Sequence, residues 1–159
     1  MEIKEFKHAD DSLTEQVYWL RYSQINGYGR LFGGQLMQWI DETASITARR
    51  HSGMTVTTAS IDNLSFKEAA YINNLVVVIG KITFVGHSSM EVRVDTYVED
   101  KKGMRRNINR AYVVVVAIDE NGHALEVPGV IVESVSEKAE WESGRKRYEL
   151  RKKRRIEGF

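Results

Sequence analysis

Asn26–His51, NGYGRLFGGQLMQWIDETASITARRH, decides how this chain is organised. It opens on a loop with four glycines in eight residues, Gly27, Gly29, Gly33 and Gly34, then runs 17 residues without glycine or proline. At about 100° per residue, Leu36, Ile40, Ala44 and Ala48 fall on one stripe, with Met37 beside them. Trp39 and Ile46 form a second apolar stripe on another side. A helix apolar on more than one side is enclosed by its surroundings, not laid on a surface. Asp41 lies at the edge of the main stripe, where a carboxylate is costly to bury unless something uses or pairs it. Arg49 or Arg50 could pair it. The glycine-rich entry argues for use instead. Glycines let a ligand approach the unpaired N–H groups of a helix's first turn, where the dipole also favours negative charge. An oxyanion-stabilising helix end and a carboxylate two turns along are two parts of a hydrolytic site.

Working outward, Gln16–Ser23 is rich in β-formers and predicts a strand before the helix. After it, Gly53 marks a turn and Thr55–Ser60 a strand continuing through Ile61, Leu64 and Phe66. Leu75–Val85 predicts a buried strand, and Gly86-His87 turns the chain. In Ser88–Glu99, Met90, Val92, Val94, Thr96 and Val98 alternate with Glu91, Arg93, Asp95, Tyr97 and Glu99, which predicts a strand with one wet face. Ile108–Asp119 is the last long strand, Asn121-Gly122 a turn, and Ser136–Ile156 a charged helix. One long apolar helix followed by consecutive strands implies an α+β fold, an antiparallel sheet curled around that helix.

At 159 residues the chain is expected to form one domain over 1–159, with 136–156 as a basic C-terminal helix. With 42% hydrophobic and 28% charged residues the composition is that of an ordinary globular protein. No apolar run approaches the ~18 residues of a membrane span. MEIKEFKHADDS is polar and acidic and does not read as a signal peptide. Absence of cysteine rules out a disulfide framework, thiol catalysis and cysteine-ligated metal, and is compatible with cytoplasm. Net charge is +1, but Lys138–Arg155 carries nine Lys/Arg and three Glu, so an acidic body of net −5 bears a tail of net +6. No aromatic-interleaved surface supports nucleic-acid binding by that tail. G-x-S-x-G and G-x-x-x-x-G-K-[ST] are absent, and His8, His51, His87 and His123 are too dispersed to suggest a metal site.

The run Asn26-Gly27-x-x-x-Leu31-Phe32-Gly33-Gly34-x-Leu36-Met37-x-Trp39-Ile40-Asp41 resembles the motif of the cytosolic acyl-CoA thioesterases, which have a hotdog fold. Thr58-Ala59-Ser60-Ile61-Asp62, Phe66, the stretches Val85–Val92 and Val116–Gly122, and the tail Trp141–Arg155 are similar to that family in its order. The resemblance implies hydrolysis of acyl-CoA to fatty acid and coenzyme A, without metal or cofactor. It implies Asp41 as the catalytic aspartate, acting on water or attacking directly, and Asn26 as an orienting amide. Gly33 and Gly34 would supply N–H donors to the carbonyl oxygen. Asn26 of one subunit would meet Asp41 of its partner in a homodimer, assembled as a trimer of dimers. Gly86, His87, Ser88 and Ser89 would lie beside coenzyme A, with Thr58 and Ser60. Arg49 and His51 complement the helix dipole and are second candidates for its phosphates. The tail arginines could hold the 3′-phosphate or pack between dimers. His87 replaces the expected Arg or Asn, and Lys67–Asn74 lacks the family's proline and Gly-Asp pair. The rivals are a hotdog dehydratase or hydratase, which would need a His-carboxylate pair, and a non-catalytic acyl-CoA-binding sensor.

Overall fold

The computed structural model describes residues 3–62 and 64–159. The first two residues of the polar N-terminus, and Asn63 within the expected run to Phe66, lie outside the described residues. In chain order the elements are β1 (Phe6–His8), β2 (Thr14–Trp19), α1 (Gly33–Ser52), β3 (Thr55–Asp62) and β4 (Leu75–Val85). β5 (Ser89–Glu99), β6 (Arg105–Ile118), β7 (Gly129–Ile131) and α2 (Val135–Glu157) follow. Five strands form one antiparallel sheet in the order β2-β4-β5-β6-β3, with Val92 opposite both Ile82 and Val113. The sheet wraps α1, which touches all five strands, and this is the α+β hotdog arrangement expected. Among the described residues no helix is long and apolar enough to cross a membrane.

The 20 residues of α1 make a rod of about 30 Å. Leu36, Ile40, Ala44 and Ala48 are buried against Val76, Val78, Val92, Val94, Val113 and Val115. Full burial of a side chain such as Ile40 contributes roughly 1.5–3 kcal/mol. The second buried face differs from the expected one. Trp39 is on it, stacked 4.1 Å from the Tyr18 ring, but its other members are Thr43 and Thr47; Ile46 is only half buried and Met37 is exposed. The two threonines are tolerated because Thr47 donates to the Thr43 carbonyl at 2.8 Å and Thr43 to Gln16 Oε1 at 2.7 Å. Gly53 ends the helix in the left-handed region (φ 69°), its N–H returning to the Arg49 carbonyl.

The strand expected over Gln16–Ser23 is β2, which ends at Trp19, and Tyr22–Gln24 form a 3-10 turn. The short β1 and β7 pair in parallel as a separate ribbon, which no sequence period announced. The wet face expected of β5 is covered. There α2 packs on the outer side of the sheet, and Glu91 and Asp95 are 2% and 4% exposed. Ser134 caps α2 by accepting from the Glu137 N–H, and Trp141 and Tyr148 pack on Phe84. At Gly144 the helix lies so close to the sheet that an added Cβ would come within 2.6 Å of Phe84 and 2.9 Å of Glu91 Oε1.

Burying Glu91 requires counter-charge, and α2 supplies it. Arg147 donates to both Glu91 oxygens at 2.8 and 3.0 Å, Arg151 to Oε2 at 3.2 and 3.3 Å, and Thr83 to Oε1 at 2.7 Å. Arg147 also stacks on Tyr112, 3.6 Å from the ring centre. Burial, with the bond to Glu140, pushes the Tyr112 phenol above its ordinary value. Asp95 is paired by Arg93 and Arg110. The basic tail is thus folded onto Glu91 of β5.

Candidate active site

The loop before α1 is built by Asn26. Its Oδ1 accepts from the Tyr28 and Arg30 N–H groups at 2.9 and 3.2 Å, and its own N–H donates to the Arg30 carbonyl. With Oδ1 committed to the backbone, the Nδ2 amide group is the side chain's remaining hydrogen-bonding capacity, and it can only donate. At the start of α1 the Phe32 carbonyl accepts from the Gln35 and Leu36 N–H groups, and Phe32 offers no side-chain cap. The N–H groups of Gly33 and Gly34 therefore stand at the helix mouth, where helical geometry provides no acceptor. Asn26 and Gly33 line one cavity of about 310 Å³, closed by Phe66, Leu36, Ile108 and the 67–70 loop. Donors to a carbonyl oxygen and an apolar wall thus share one cavity.

Asp41 is half buried and accepts at Oδ1 from the Thr58 hydroxyl at 2.5 Å. Among the described residues no cation lies within ion-pair distance of it, so the pairing with Arg49 or Arg50 does not occur. Arg50 instead donates to the Leu13 carbonyl and to Thr14. Asp41 stands about 12 Å along α1 from Gly33 and is not among the residues lining the Asn26 cavity. Within one chain the carboxylate and the amide are apart.

A second cavity, of about 470 Å³, brings Ser60, His87, Ser88 and Ser89 together with Asp62 and with Arg151, Arg154 and Arg155 of α2. Gly86 closes the turn beneath it by donating to the Ser89 carbonyl. Three residues grouped with coenzyme A fall elsewhere. Thr58 is engaged by Asp41. His51 is wholly buried, with Nε2 on the Pro128 carbonyl at 2.9 Å; burial pushes its imidazole below the ordinary value, that bond opposing. Arg49 lines a different cavity, beside Met54 and Thr55. Two contributors went unnoticed in the sequence, Arg30 at the first cavity and Asp62 at the second. Asp62 sits within a quoted motif, but only the fold places it beside arginines 89 and 92 residues away.

A sheet wrapped around one helix whose glycine-rich start opens into a donor-lined cavity is the hotdog arrangement, and within that class the family model for the thioesterase superfamily matches residues 28–104. Over 138 residues the chain is 34% identical to the uncharacterized acyl-CoA thioester hydrolase YkhA of Bacillus subtilis, covering 86% of this chain and 80% of that one. It is 31% identical over 140 residues to the human cytosolic acyl coenzyme A thioester hydrolase, but spans 37% of that protein's length. The chain belongs to the acyl-CoA thioester hydrolase family. The acyl-CoA hydrolase of Staphylococcus aureus in complex with butyryl coenzyme A and coenzyme A superposes with a TM-score of 0.90 at 33% identity, covering 96% of this chain and 94% of that one. An apo-hexameric acyl-CoA thioesterase matches with a TM-score of 0.89 at 34% identity, covering 94% and 97%. The Staphylococcus enzyme is also known with an asparagine, an aspartate or a threonine changed to alanine, at positions successively 15 and 17 residues apart. Asn26, Asp41 and Thr58 have the same spacing.

Proposed function

We propose that the protein hydrolyses acyl-CoA thioesters, adding water to the thioester carbonyl to give a free fatty acid and coenzyme A. The thiolate is a fair leaving group, so the reaction needs a base or nucleophile and donors to the carbonyl oxygen. Asp41 is the first, either drawing a proton from water or attacking the carbonyl to form an anhydride that water opens. The Asn26 Nδ2 group and the N–H groups of Gly33 and Gly34 are the second. Thr58 positions Asp41. The proposed chemistry needs no metal or cofactor. The observation that carries it is the split arrangement: Asn26 and Gly33 line one cavity, with Gly34 next in the chain, while the carboxylate that would complete them is held by Thr58 outside it. A second copy supplies the missing half, so the working unit is a homodimer, assembled as a hexamer. The second cavity holds the coenzyme A phosphates, between Ser60 and the 86–89 turn on one side and Arg151, Arg154 and Arg155 on the other. The cytosolic human relative supports a cytoplasmic location.

The test is thiol release from acyl-CoAs of increasing chain length by wild type and Asp41→Asn. Loss of a base or nucleophile should cost about 100-fold or more in kcat. A mixed dimer of Asn26→Ala and Asp41→Ala subunits should regain one working site. Wild-type turnover by Asp41→Asn would remove Asp41 from the mechanism; a verified mixed dimer with no activity would refute the shared site.

A further inference from the structure

We propose that Asp62 is an exchangeable counter-ion, holding Arg151 and Arg154 until a phosphate group of the ligand takes its place. The inference rests on the second cavity being where coenzyme A phosphates bind. Three arginines and His87 face a single carboxylate side chain there, Asp62. Two acids share Arg151, and they differ in kind. Glu91 lies under the helix with its side chain 1% exposed, and its oxygens are occupied by Arg147, Arg151 and Thr83. It is a fixed partner. Asp62, at the end of β3, opens into the cavity, accepts one bond from Arg151 at 2.9 Å and stands 3.9 Å from Arg154, beyond hydrogen-bond distance. Arg155 has no carboxylate within ion-pair distance among the described residues.

A phosphate monoester carries up to two charges and three acceptor oxygens, and guanidinium groups engage such a fork by paired bonds. It offers Arg151 and Arg154 more than Asp62 does, whereas a monoanion such as a fatty acid carboxylate offers no more. Asp62 therefore selects for phosphate by competing with weaker anions. When it yields, Glu91 keeps Arg151 in place, so the site does not collapse as the ligand arrives. An arginine cluster without this internal acid would take weaker anions as well, and one without Glu91 would lose its geometry on exchange.

The experiment is calorimetric titration of adenosine 3′,5′-bisphosphate into wild type, Asp62→Asn, Asp62→Ala and Arg154→Gln, each checked for fold by circular dichroism. Removing a competing charge at this range should tighten binding roughly three- to tenfold in both Asp62 variants. The gain should shrink as salt rises, because this cavity is open to solvent. A purely structural Asp62 would make binding weaker on removal. Unchanged or weaker binding in the folded Asp62 variants overturns the proposal while leaving the cavity's role intact. If Arg154→Gln leaves the wild-type affinity unaltered, the ligand binds elsewhere; the coenzyme A placement then fails, and the counter-ion role with it.

Discussion

Replacing Glu91 by glutamine keeps its shape and removes the charge on which α2 is seated. In the folded protein Arg147 and Arg151 contribute four hydrogen bonds to that carboxylate, and the two arginine side chains are only 18% and 12% exposed. Breaking a buried ion pair from one side leaves uncompensated charge and costs roughly 3–5 kcal/mol. Each arginine keeps a second acid, Glu140 for Arg147 and Asp62 for Arg151, which places the loss at the low end, about 3 kcal/mol. In a chain of this size a kcal/mol moves Tm by about 2–4 °C, so Glu91→Gln should melt roughly 6–12 °C below wild type. Differential scanning calorimetry at one fixed protein concentration is the assay, because assembly couples Tm to concentration. Glu142→Gln is the control. Glu142 pairs with Arg145 on the solvent side of α2, where both side chains are about half exposed and the pair contributes little. A Glu91→Gln shift no larger than that of Glu142→Gln would refute the view that this carboxylate seats the helix.

Thr58→Val removes the hydroxyl that bonds Asp41 at 2.5 Å, and hydrogen bonds to charged groups contribute about 1.5–3 kcal/mol. Steady-state kinetics should show kcat down roughly ten- to a hundredfold with KM little moved, and Thr58→Ser near wild type; an unchanged kcat in Thr58→Val would remove the positioning role. His51 is buried with a depressed pKa, so below its ordinary value of 6.5 the unfolded chain binds a proton that the folded one resists. Its contribution is complete above about pH 6.5 and is lost as pH falls below that toward the folded value. His51→Gln should flatten the fall in Tm between about pH 7.5 and 5.5, and an equally steep fall in the variant would exclude His51 as its source.

The central helix and the long strands were legible because their periods extend over many residues. Leu36, Ile40, Ala44 and Ala48 repeat every four positions, and Leu75–Val85 is apolar nearly throughout. β1 and β7 have three residues each, too few to show a period, and their pairing spans most of the chain. The outer face of β5 was misjudged for a different reason. Glu91, Arg93 and Asp95 have the same alternation whether water or an oppositely charged helix covers them, and local pattern cannot tell the two apart. For Thr43 and Thr47, burial depends on bonds made only after the helix meets β2 and turns upon itself. Asn26, Gly33 and Asp41 were identified by motif, and the resemblance already implied that Asn26 and Asp41 belong to different subunits; the fold adds that within one chain Asp41 lies outside the cavity lined by Asn26 and Gly33. His51 fitted the dipole rule at a helix end, but the approach of Pro128 makes it a core residue.

The two backbone N–H groups that grip Asn26 Oδ1 would grip an aspartate oxygen equally well. An Asn26→Asp chain would therefore fold its loop unchanged while presenting to the cavity an acceptor where a donor stood. On the proposed mechanism, that exchange reverses the electrostatic sign of the site without touching the scaffold. Thermal melting and circular dichroism would register a healthy protein, and purification by folding quality would retain the dead one.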